Sequence, residues 1–181
     1  EIKAVYKDVI IELYDYHNTL EEIIKLIGNL DCGLSSAKNH IKFNYCKPEL
    51  DSSNCKSYID CKDIRHPIIE RILQNNLYVG NDVKLGKDGS DGFLLFGTNA
   101  CGKSTFMKAV GLNIIMAQAG LFVAASSFHY KPYTQIFTRI LNNDNIFRSQ
   151  SSFAVEIQEL RGILNRSDEN SLILGDELCS G

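Results

Sequence analysis

Eight consecutive residues, Gly97-Thr98-Asn99-Ala100-Cys101-Gly102-Lys103-Ser104, match G-x-x-x-x-G-K-[ST], a spacing suited to phosphate. Gly97 and Gly102 permit torsions and close approaches that a Cβ would obstruct, so successive backbone N–H groups converge on phosphate oxygens. A helix expected to begin at Ser104 adds the partial positive charge of its N-terminus. Lys103 is then placed to reach β and γ phosphates, and the Ser104 hydroxyl to ligate Mg2+. A glycine-rich turn matches such a pattern by accident now and then. Here an apolar run precedes it and an amphipathic stretch follows, the context that the pattern requires.

The second half of such a site is an acidic residue at the end of another buried strand. Leu172-Ile173-Leu174-Gly175-Asp176-Glu177 supplies it. Asp176 is expected to hold Mg2+ through its water shell, and Glu177 to orient or activate an attacking water. Two acids solvating a strand end would be unremarked alone; with the loop they complete an ATP-hydrolysing constellation.

These groups need strands and helices to hold them. Phe93-Leu94-Leu95-Phe96 reads as a buried parallel strand entering the loop. A helix over 104 to about 119 follows, with Met107, Val110, Ile114 and Ala117 on one face. Strands are expected at 121–124, 135–140 and 172–174, and a helix whose face is Phe153, Ile157, Leu160 and Leu164. The alternation spells an α/β domain with a mostly parallel sheet. Earlier in the chain, apolar residues at 2, 5, 9, 13, 16, 20, 23 and 27 predict one long amphipathic helix of about 40 Å, a strut or lever. Gly28-Asn29 and Gly33 are expected to stop it, and the polar stretch 35–62 to be a joint. The expected organisation is therefore a lever helix over 1–30, a connector over 31–62 and an ATPase domain over 63–181, cut just after the acidic pair.

Composition bounds the partners. Nineteen Lys and Arg against 22 Asp and Glu leave a net charge of -3, which argues against a strongly basic nucleic-acid binder over this stretch. With 44% apolar and 23% charged residues the chain is of globular type. The six cysteines show no pair at zinc-knuckle spacing and read as reduced thiols of an intracellular protein. Neither a membrane span nor a leader is expected.

Taken together, Arg65-His66-Pro67, the loop through Thr105, Phe137-Thr138-Arg139, Ser151-Ser152-Phe153 with Val155-Glu156, and Asp176-Glu177 resemble the ATPase domain of the MutS family of DNA mismatch-repair proteins. The resemblance implies a P-loop NTPase of the ABC type, preceded by the end of a lever helix. It implies an ATP-switched dimer with a second MutS-like ATPase domain, which senses mismatched double-stranded DNA through domains outside this chain. In the family each composite site takes a serine from the partner; Ser151 is its best counterpart, although a helix-capping role beside Ser152 is the ordinary alternative. Tyr78 occupies the stretch from which an aromatic stacks on adenine, with a core position as its alternative, and Asn99 matches a family Asn within the loop. His66 and His129 read as structural.

Departures from the family pattern are Thr98, Ala100 and Cys101 in the loop, the last a thiol open to alkylation or oxidation, Ser149-Gln150 before the trans-acting serine, and Leu178-Cys179-Ser180-Gly181 at the end. They look closest to the branch found in large DNA viruses and octocoral mitochondria. Two other readings stay open: a nucleotide-locked structural or binding module that does not consume ATP, and a MutS relative working in recombination. Other ATPases of the transporter-like group carry a Ser-Gly-Gly signature downstream of the loop, and this sequence has none.

Overall fold

The structure, a computed structural model, describes residues 2–53, 55–73, 77–87, 90–140, 152–176 and 178. It divides into two compact units, Glu1–Lys42 and Phe43–Gly181.

The first unit is helical. Helix α1 (Ile2–Tyr14) ends in a turn at Asp15-Tyr16, and α2 (His17–Phe43) resumes at once, with the rings of Tyr14 and His17 stacked 5.8 Å apart across the break. The expected stop at Gly28 and Gly33 is therefore corrected: α2 runs through both. A glycine inside a helix costs only about 1 kcal/mol against alanine, which a long run of helix formers offsets, and the first proline comes at Pro48. A Cβ at either glycine would meet nothing within 4 Å.

Among the described residues, the second unit holds two sheets. Strands β1 (Glu49–Leu50), β2 (Tyr58–Ile64), β3 (Asn81–Leu85) and β4 (Ser127–Lys131) are ordered β1-β4-β2-β3, while β5 (Gln135–Arg139) and β6 (Ser171–Gly175) form a parallel pair. The expectation of a mostly parallel sheet is corrected, because β2 is antiparallel to both β3 and β4. Its sequence explains this. Ile59 and Cys61 are buried while Asp60 and Lys62 are not, the alternation of an antiparallel strand with one solvated face. Much of the stretch expected to be a joint is thus helix and strand.

Two expected strands are also corrected. Residues 121–124 form no strand; Val123 bridges Cys46, and the chain enters β4 only at Ser127. Phe93 to Phe96 are not in a strand and are exposed, Leu94 and Phe96 to 90% and 91%. Apolar character does not make a strand without a neighbour for its N–H and C=O groups, and among the described residues none pairs with this run.

Among the described residues, three helices complete the unit: α3 (Ile69–Ile72), α4 (Lys103–Gln118) and α5 (Ser152–Arg166). The expected α4 face is buried at Met107, Val110, Ile114 and Ala117, which join Ile59, Ile64, Val83, Val123, Phe128 and Leu172 in the core. Each such large apolar side chain contributes about 1.5–3 kcal/mol. On α5 the face differs from expectation. Ile157 and Leu164 are exposed, whereas Glu156 and Ile163, two turns apart, are buried.

Candidate functional site

The glycine-rich loop leads directly into α4. Gly102 adopts φ 96°, a left-handed conformation that glycine takes without strain, and its carbonyl accepts the first helical bond from Phe106 N at 2.8 Å. No side chain caps this helix start, so the first N–H groups of α4 have no intrahelical acceptor and remain available to an external one. Ala100 sits at φ 63°, where a Cβ is strained by about 1 kcal/mol or more. Asn99, Ala100, Gly102, Lys103, Ser104 and Thr105 line a cavity of ≈ 310 Å³.

Lys103 closes the loop on itself. Its Nζ donates to Gly97 O at 2.7 Å and Thr98 O at 2.9 Å. Two of the three ammonium donors bind the loop that would cradle an anion, and the group remains exposed to solvent. Cys101 is an exposed free thiol, with Sγ 3.0 Å from where a Cβ on Gly97 would lie.

The acidic end of β6 is joined to the loop through α4. A Cβ on Gly111 would lie 2.6 Å from Leu174 Cδ1, so the tip of this leucine occupies the place that a larger residue in the middle of α4 would take. Asp176 follows β6, and its N–H donates to Arg139 O at 2.8 Å, the last bond of the parallel ladder, beside the Arg139–Gly175 pair. Tyr78 is half-buried between exposed Leu77 and Val79, and burial raises its phenol above the ordinary range. Neither Tyr78 nor Asp176 lines the loop cavity. Ser151 and Glu177, with Ser149, Gln150 and Cys179, lie outside the described residues.

Asn113 and Gln118, which the sequence did not single out, hold this scaffold together with Arg65. Asn113, fully buried in α4, donates through Nδ2 to Arg65 O (2.9 Å) and Ala109 O (2.8 Å) and accepts from Ala124 N (2.7 Å). An asparagine three residues after Val110 and four before Ala117, on an apolar helix face, was the available signal. Gln118 pairs both of its amide atoms with the backbone of Tyr133, at 2.8 and 3.1 Å. Arg65 binds Glu70 (2.8 Å) and Asp63 (2.7 Å) and donates to the carbonyls of Phe43 and Asn44. Beside it His66 Nδ1 accepts from the N–H groups of Ile68 and Ile69, each at 3.3 Å; burial lowers its pKa, so the imidazole is held neutral at the start of α3.

A second cavity, ≈ 430 Å³, is lined by Glu49, Asp51, Tyr58, Asp60, Lys87 and His129. It is the larger but chemically the weaker candidate. His129 Nδ1 is 3.3 Å from Glu49 Oε2, and its carboxylates would repel a phosphate. Among the described residues, no helix is long and apolar enough to cross a membrane.

A family model for MutS domain V matches residues 93–181. The chain is 39% identical, over 99% of its length, to the mitochondrial DNA mismatch repair protein mutS homolog of Sarcophyton glaucum, of which it covers 18%. It is 37% identical, again over 99% of its length, to a putative DNA mismatch repair protein mutS homolog of Acanthamoeba polyphaga mimivirus, covering 19% of that protein. To the DNA mismatch repair protein MutS of Staphylococcus haemolyticus it is 39% identical over 92% of its length and 18% of the relative. The chain thus spans just under a fifth of the length of these relatives.

Proposed function

Because the chain belongs to the MutS family, we propose that it is the ATP-binding and ATP-hydrolysing part of a MutS-like DNA mismatch repair protein, in which ATP state and dimerisation are coupled to recognition of mismatched DNA. The proposed fold is a P-loop NTPase of the ABC type. The observation that carries the reading is the loop itself: a left-handed Gly102 feeding an uncapped helix start, with Lys103 and Ser104 on the wall of one cavity.

The donor set suits ATP and Mg2+. Uncapped N–H groups and an ammonium are what phosphate oxygens bind, and the Ser104 hydroxyl and Asp176 carboxylate are hard oxygen donors of the kind that hold magnesium. The metal, when bound, neutralises charge on the phosphates. In this reading Lys103 leaves its carbonyl partners for the phosphates, and Gly97 to Thr105 wrap them through the backbone. Tyr78 stacks on the base and Glu177 activates water. Ser151 reaches the nucleotide of a partner ATPase domain, so half of each site comes from the second chain. Contacts with DNA lie in parts of the protein outside this chain, and the free thiols suit an intracellular setting.

The test is single-turnover hydrolysis by the full-length protein. Glu177→Gln is expected to retain ATP binding and to lose hydrolysis by about 100-fold or more. Lys103→Ala is expected to weaken nucleotide binding itself. An unchanged rate in Glu177→Gln would refute the base assignment. Wild-type protein that dimerises on ATP without releasing phosphate would select the nucleotide-locked module instead.

A further inference from the structure

The Phe137-Thr138-Arg139 segment lies on β5, outside the roles assigned above. We propose that it is a clasp that registers α5 against the acidic end of β6, with Arg139 as a positioning residue for the ATP-driven step; this rests on the reading just given.

The topology supplies the frame. β5, α5 and β6 form a β-α-β unit whose strands are parallel from Gln135 opposite Ser171 to Arg139 opposite Gly175. Among the described residues, two polar contacts cross from β5 to α5. Arg139 Nε lies 3.0 Å from Glu159 Oε2, an ion pair whose N–H is not aligned for a hydrogen bond, and the Arg166 guanidinium lies 5.2 Å from the centre of the Phe137 ring. Phe137 and Arg139 are two apart on a strand and therefore share a face, as do Glu159 and Arg166, two helical turns apart. The order is reversed between the elements, as it must be for a helix running antiparallel to its strand. A single contact would leave α5 free to slide or pivot. Two contacts, at both ends of Phe137-Thr138-Arg139, fix its register.

Arg139 also faces the other way. Its carbonyl accepts the N–H of Asp176 at 2.8 Å. One residue therefore holds the proposed magnesium carboxylate by its main chain and α5 by its side chain, so a displacement of the strand end is passed to the helix that directly follows Ser151. The ion pair is ill suited to simple stabilisation. Arg139 is 19% exposed but Glu159 is 51% exposed, so water screens the acidic partner and the pair adds little to stability. Its removal should leave the fold intact, which makes a positional role separable from a structural one.

The experiment uses the full-length protein and measures steady-state ATPase kcat and KM together with thermal unfolding, for Glu159→Gln, Arg139→Lys, Arg139→Glu and the exchanged pair R139E/E159R. For Glu159→Gln, kcat is expected to fall about tenfold with KM for ATP within about twofold, the pattern of a lost transition-state rather than ground-state contribution. Arg139→Lys keeps the charge and should retain kcat within about threefold, while Arg139→Glu loses it and the exchanged pair recovers most of that loss. A Glu159→Gln enzyme with unchanged kcat, an effect on KM alone, or an exchanged pair no better than Arg139→Glu would overturn the clasp. Wild-type protein without ATPase activity would instead overturn the functional reading on which it rests.

Discussion

Asn113 is the sharpest test of how α4 is held. Replacing it with leucine keeps the side-chain size and removes every polar atom. Ala109 O retains its helical bond, whereas Ala124 N–H and Arg65 O lose the Asn113 contacts in a buried setting. At about 2 kcal/mol for each of the two orphaned groups, less about 1.5 kcal/mol regained by burying apolar carbon, the net loss is about 2.5 kcal/mol. For a domain of this size that lowers Tm by about 5–10 °C, measurable by calorimetry. Asn113→Asp separates polarity from charge. It keeps an acceptor for Ala124 N–H but turns carboxylate oxygen toward two carbonyls, so its folded pKa is raised above the ordinary value. An acid with a raised folded pKa is most stable when protonated, and stability falls as pH rises through the unfolded value of about 3.9. At pH 7 the aspartate variant should therefore be the less stable of the two, and the order should reverse in acid. A leucine variant that melts with wild type, or an aspartate variant insensitive to pH, would refute the hydrogen-bond account of this position.

Three further outcomes follow from contacts already described. Gln118→Met removes both bonds to Tyr133 and should cost about 1–3 kcal/mol in denaturant titrations, with β5 loosened first in hydrogen exchange. His66 is held neutral by burial, so its folded pKa lies below 6.5; the stability it confers is present above pH 6.5 and declines as pH falls below that value, and His66→Gln should flatten this slope in urea titrations. Asp51 is held down to about 2 by hydrogen bonds from Ser53 and from Tyr58 (2.8 Å), so the interaction is present above about pH 3.8 and is lost as pH falls through 2; Tyr58→Phe should move the Asp51 carboxyl upward in an NMR titration.

The loop and its helix were legible because their signal is local. Glycines at 97 and 102, a lysine and a hydroxyl fix the conformation within a few residues, and the stripe Met107, Val110, Ile114, Ala117 needs only one face to be buried. Strands depend on partners far away in sequence, and there legibility failed in both directions. Phe93 to Phe96 are as apolar as any strand yet pair with nothing among the described residues, while Asp60 and Lys62 made β2 read as part of a polar joint although its alternate residues are fully buried. Glu156 shows the same limit on α5, since a carboxylate on the inner face contradicts the rule by which faces are read. Gly28 and Gly33 mislead for another reason: a helix stop is an energetic tendency of about one kcal/mol, and twenty-seven consecutive residues outweigh it.

The missing Cβ at Gly111 has a consequence in time as well as in space. The tip of Leu174 fills the space left at Gly111, and Leu172 and Leu174 share one buried cluster with Met107, Val110 and Ile114, so α4 and β6 bury the same apolar surface. The two elements should then belong to one cooperative unit of local unfolding. Amides of the central turns of α4 and those of Leu172 and Leu174 would exchange with solvent through the same opening, at one common free energy. Amides on β3, at the far edge of the other sheet, are free to report a different one.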